Sequence, residues 1–147
     1  MSAAHERREN ESPVGRIGVD IVDTGSSHRR RMPETRQSMT HKFSVSGHEG
    51  YLTIGLDDNG VPGEVFLKMS KEGSTMSGWA QAFCRAFSLL LQHGMPLDQA
   101  VIRFKGMRFE PMGYTSNEAI PEASSIIDYI ARYLEQEFES SSSKRVR

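Results

Sequence analysis

The stretch "YLTIGLDDNGVPGEVFLKM", residues 51–69, limits the fold more than any other part of the chain. Two alternating runs are joined by Asn59-Gly60, a dipeptide that readily takes the positive φ angles of a hairpin turn. In the first run Leu52, Ile54 and Leu56 fall opposite Tyr51, Thr53 and Gly55. In the second, Val65, Leu67 and Met69 fall opposite Phe66. Successive strand side chains point to opposite faces, so the pair reads as an antiparallel hairpin. Upstream, "THKFSVSG" (40–47) sets Phe43 and Val45 on one face and supplies a third strand.

The period then changes. From about Ser74 to His93, apolar residues Met76, Trp79, Ala80, Phe83, Phe87, Leu90 and Leu91 recur at steps of three and four. Ser77, Gln81, Arg85, Ser88 and Gln92 fill the opposite, polar face of the predicted helix. Gly94 stops it and Pro96 prevents continuation. A short helix around 96–104 carries Leu97, Ala100, Val101 and Phe104, and Gly106 ends it. "MRFEPMGYTSN" reads as a loop, opening with a short strand, and a last helix over 120–138 aligns Ile120, Ala123, Ile127, Ile130, Leu134 and Phe138. Strands first and helices afterwards predict an α+β fold: a three- to four-stranded antiparallel sheet followed by about three helices packed on one face.

The 147 residues suit one domain, expected over 40–138. Residues 1–39, rich in Ser, Arg, Glu and Gly, read as a mostly disordered tail. Within it "VGRIGVDIVD" (14–23) alternates Ile17, Val19 and Ile21, as a segment docking on a sheet edge would; an incidental apolar patch reads equally well. Residues 139–147 form a second tail. Charge is uneven: seven Lys/Arg against six Asp/Glu over 1–39, eight against twelve over 40–138, and three against one over 139–147. The domain is acidic and the ends basic, the reverse of a typical nucleic-acid binder. "HRRR" (28–31) and "SSSKRVR" remain as weak, nonspecific phosphate contacts. No apolar run is long enough for a membrane span, and the N-terminus lacks the apolar stretch of a secretory signal. One cysteine, Cys84, excludes an internal disulfide and suits a reducing cytoplasm.

Candidate chemistry is sparse. In "MSKEGSTMSG" (69–78), Lys71, Gly73, Ser74 and Thr75 stand at a helix start, where free N–H groups attract anions. The order is the reverse of a P-loop, whose lysine follows its glycines. A tight turn at Gly73 and a cap by Ser74 or Thr75 is the plainer reading. His5, His28, His41, His48 and His93 are scattered, without zinc-ligand spacing, and no metal site is expected. Cys84 follows Phe83 near the helix's apolar face, as a structural cysteine would. No residue is assigned a catalytic role.

Four motifs stand in order along residues 31–138: "THKFSVSGHEGYLTIGL", "PGEVFLKMSKEGST", "RFEP" followed by "GYT", and "SIIDYI". In these the chain resembles the C-terminal domain of adenosylcobalamin-dependent (class II) ribonucleotide reductases, a TSCPD-like domain. The resemblance implies that catalysis belongs to a large barrel that 147 residues do not accommodate. It also implies a dithiol that supplies two electrons, whereas this chain has one cysteine. Related versions of the domain carry metal-binding cysteines where this chain reads "GSTMSG", "MRFEP" and "YTSNEAIPEA".

The resemblance therefore implies a non-catalytic accessory or regulatory domain in deoxyribonucleotide and DNA synthesis. It would dock to a reductase chain or bind a nucleotide through Lys71, Gly73, Ser74, Thr75 and Arg108. No cofactor is expected for the chain alone; adenosylcobalamin belongs to the full-length family. Rival readings are a nucleic-acid-associated module using the basic tails and catalysis through Cys84. Self-association is a further option for its partners.

Overall fold

The computed structural model describes residues 28–139. His5, the 14–23 segment and all but the first residue of the C-terminal tail lie outside them. Strands β1 (Ser38–Val45), β2 (His48–Leu56) and β3 (Pro62–Met69) form one antiparallel sheet in that order. Helices α1 (Ser74–Gln92) and α2 (Leu97–Phe104) follow. A two-residue ladder then pairs β4 (Gly113–Tyr114) with β5 (Glu122–Ala123), before α3 (Ile126–Leu134) and a π-helical turn over Glu135–Glu139. The fold is the α+β arrangement expected, with the helices gathered on one face of the sheet.

The strand alternation fixes that face. Register aligns Met39, Ile54 and Val65 in one row and His41, Leu52 and Leu67 in the next. Phe43, Val45, Leu52, Ile54 and Val65 are buried beneath Ala80, Cys84 and Phe87 of α1, Ala100 and Val101 of α2, and Ile126, Tyr129, Ile130 and Leu134 of α3. Phe43 and Tyr129 stack at 4.7 Å, and His41 stacks on Tyr133 at 4.0 Å while its Nε2 meets the Tyr129 hydroxyl at 2.7 Å. Gly50 lets this row close, because a Cβ there would reach within 2.6 Å of the Met69 sulfur. β1 begins at Ser38, and Arg36, further upstream, pairs with Glu64 of β3.

Turn chemistry differs from the expectation. The two positive φ angles of a tight hairpin occur at Ser46 (49°) and Gly47 (80°), between β1 and β2. At Asn59-Gly60 only Gly60 is left-handed (74°). There the Asp57 carboxylate accepts from the N–H groups of Asn59 and Val61 at 2.8 and 3.0 Å, so an Asx-type turn closes the longer loop.

The polar face read from α1 is also corrected. Ser88 and Gln92 are buried, not solvent-facing. Ser88 Oγ accepts from the Val65 N–H at 2.9 Å and donates to the Cys84 carbonyl at 2.7 Å. Gln92 Nε2 donates to the Gly63 carbonyl at 2.9 Å. The Cys84 sulfur meets the Leu67 backbone in the same way. Four helical residues rise about 6 Å and two strand residues about 6.7 Å, so the 84, 88, 92 series keeps step with 67, 65, 63. α1 thereby covers the outer edge of β3, which would otherwise present unpaired backbone groups.

Candidate functional site

Beyond this seam the first turns of α1 overhang the sheet. Trp79 is left uncovered there, and together with Ala80, Phe83 and the half-buried Met76 it forms one wall of an open groove of about 300 Å³. Leu67 and Met69 contribute the end of β3, Phe104 the end of α2, and Ile126 and Ile127 the start of α3. The far wall is the strap that follows α2, through Met107, Phe109 and Pro111. Phe83 and Phe104 form an aromatic floor for the groove, backed by the buried Phe87; the three rings meet at 5.1–5.7 Å, with Phe104 edge-on to the other two. The lip is more adaptable, because Met69, Met76 and Met107 are unbranched and polarizable. Trp79, expected on the buried helix face, is instead 73% exposed.

The strap is held by the start of α3. Ser125 is the N-cap: its Oγ accepts from the Asp128 N–H at 2.9 Å and donates to the Met107 carbonyl at 2.7 Å. Asp128 is buried, and its carboxylate accepts from Gly106 N–H (2.6 Å), Ser124 N–H (2.9 Å) and Arg132 Nε (2.9 Å). Burial disfavours its charge, but those two amides and the Arg132 guanidinium outweigh burial and hold the carboxyl below its usual range. Phe109 N–H donates to the Ser124 carbonyl, which closes the strap at its middle. The last helix therefore starts at Ile126, and 120–125, expected to be helical, forms β5 and the cap. The Ser125-x-x-Asp128 spacing, a capping signal before an apolar run, was the readable sign of this boundary.

The anion-site residues flank the groove without lining it. Lys71 takes a left-handed conformation (φ 61°), and Gly73 (φ −67°), expected as a tight turn, is the N-cap of α1 with no side-chain cap bond. Ser74 and Thr75 are therefore the first helical residues and not caps. The run from Lys71 to Thr75 separates Met69 from Met76, both of which line the groove. Arg108 is exposed on the strap, between Met107 and Phe109.

The described residues assemble no reactive constellation. They contain no group of three or more His, Cys, Asp and Glu placed to hold a metal ion. Burial pushes the Cys84 thiol up to about 11, against the Leu67 backbone contact that lowers it. A thiol so placed is a packed core group and a poor nucleophile. No described helix is long and apolar enough to cross a membrane.

The described residues thus form an α+β domain with an open, methionine-lipped groove and a cysteine committed to its core. The particular family is the TSCPD domain, whose model matches residues 24–138, and the chain belongs to it. Similar proteins include the vitamin B12-dependent ribonucleotide reductase of Rhodopirellula baltica, 56% identical over 106 residues, or 72% of this chain and 10% of that protein. The enzyme of the same name from Streptantibioticus cattleyicolor is 49% identical over 111 residues, 75% of this chain and 18% of its own length. That of Bradyrhizobium diazoefficiens is 44% identical over 107 residues, 72% and 8% respectively. The chain thus spans a tenth to a fifth of the first two relatives and less of the third. No solved structure matches it.

Proposed function

We propose that the chain is a non-catalytic accessory domain of vitamin B12-dependent ribonucleotide reduction, and that it docks on a reductase chain through the groove of α1, the strap and α3. One observation carries the reading: a family domain that forms a small share of the reductases it resembles has an apolar groove with its single tryptophan exposed at the lip. Aromatic anchors in apolar pockets dominate the energetics of protein interfaces. The process served is deoxyribonucleotide supply for DNA synthesis, in the cytoplasm, and the cobalamin chemistry is the partner's.

Lys71 and Arg108 are the cations assigned to the ends of this surface. The uncapped N–H groups at Gly73, Ser74 and Thr75 suit a carboxylate of the partner or a nucleotide phosphate. The test is recovery of the reductase chain with tagged full-length protein from its own cells. Trp79→Ala with Phe109→Ala is expected to lose that chain while keeping the wild-type melting temperature. Equal recovery by the double variant removes the groove from the proposal. Lys71→Ala with Arg108→Ala is expected to weaken nucleotide binding to the complex, and unchanged affinity removes those two contacts.

A further inference from the structure

The opposite face of the sheet has a different character. Register sets Lys42, Tyr51 and Lys68 side by side across the three strands, and Thr40, Thr53 and Phe66 in the adjacent row. Tyr51 is 41% exposed and Phe66 54% exposed. No described element covers them, since the buried core lies wholly on the other side. The two residues are diagonal neighbours on adjacent strands, positions about 7–8 Å apart in an antiparallel sheet. The Lys42 ammonium stands 6.0 Å from the Tyr51 ring centroid, and neither Lys42 nor Lys68 makes an ion pair among the described residues. One row further, the Glu64 carboxylate is neutralised by Arg36. Glu49, on the other side, marks where the basic and aromatic track ends.

We propose that this face binds single-stranded nucleic acid, with bases stacked on Tyr51 and Phe66 and phosphates held by Lys42 and Lys68. An apolar protein surface laid here would cover the rings but strip water from two lysines without supplying countercharge. A strand that carries both π-faces and phosphates satisfies the rings and the lysines together. Thr40 and Thr53 add hydroxyls between them for sugar or phosphate oxygens. The domain's acidic balance confines the contact to this face, and the basic tails are not required for it.

The experiment is fluorescence anisotropy of a labelled single-stranded oligodeoxythymidylate with the full chain at about 50 mM salt, repeated at about 200 mM. Tyr51→Ala with Phe66→Ala is expected to weaken binding at least about tenfold, because both stacking platforms are lost. Lys42→Gln with Lys68→Gln is expected to flatten the logarithmic salt slope by about 1.4. Changing Lys144, Arg145 and Arg147 together to Gln is expected to leave most of the affinity. Because all four face positions are on the surface, each variant is expected to melt with the wild type. The proposal is overturned if the wild type does not bind, or if binding survives the face substitutions and vanishes with the tail substitutions. It is also overturned if Phe66→Ala instead dissolves a dimer or releases a protein partner.

Discussion

Asp128 shows how much one side chain can organise. Its carboxylate ties the end of α2, the residue before the α3 cap and Arg132 into one joint, and that joint carries the wall of the groove. Asn at this position keeps the shape but turns an amide towards N–H donors, so Asp128→Asn is expected to cost about 3 kcal/mol. Urea denaturation checks this as a lower midpoint with an unchanged slope. The acid limb gives a second readout. The folded-state carboxyl is held below the usual carboxylate range, so its contribution is complete above that range and is lost as pH falls through the lower folded pKa. The variant should lack that part of the acid-induced loss. None of this was legible from composition. The signal was local, in Ser125-x-x-Asp128, and it was masked by Ile120 and Ala123, which extend the apolar period backwards into a strand and a turn.

The elements were legible where one face is simply buried. The sheet strands alternate between Phe43 and Ile54 and again from Val65 to Lys68 because helices cover a single side, and both sheet faces follow from that pattern. α1 was legible as a helix but not as a surface. Its contact with β3 is polar, and polarity at Ser88 and Gln92 reads as solvent exposure until an open strand edge is seen to need donors and acceptors. Its N-terminal apolar residues mislead in the opposite sense, since Trp79 has the right period for the core and nothing above it to pack against. Ser88→Ala is a direct test of the seam. It removes the hydroxyl to which the buried Val65 N–H donates and is expected to cost about 2 kcal/mol, while Gln81→Ala on the exposed side of the same helix stays within about 0.5 kcal/mol. A comparable loss in both variants would mean that helix propensity, and not the edge contact, governs the position.

At the scale of the molecule, β3 separates two surfaces of opposite chemistry. Its inward residues Leu67 and Met69 line the apolar groove, and its outward residues Phe66 and Lys68 belong to the basic, aromatic face. The charge count over 40–138 hides this division, because it averages an acidic domain over one face that gathers lysines. Family motifs were readable in order along the chain, but they do not say which surface meets which partner. Trp79, the one tryptophan, reports on the groove alone. Its indole is exposed in the free chain, so acrylamide is expected to quench its emission readily. Addition of the reductase chain is expected to shift the emission to the blue and protect it from the quencher, since docking replaces water around the ring. Addition of the oligonucleotide is expected to leave both readings unchanged, because the stacking face lies on the other side of the sheet. Protection by the oligonucleotide would place the strand in the groove, and a bound reductase that left Trp79 accessible would place the partner elsewhere.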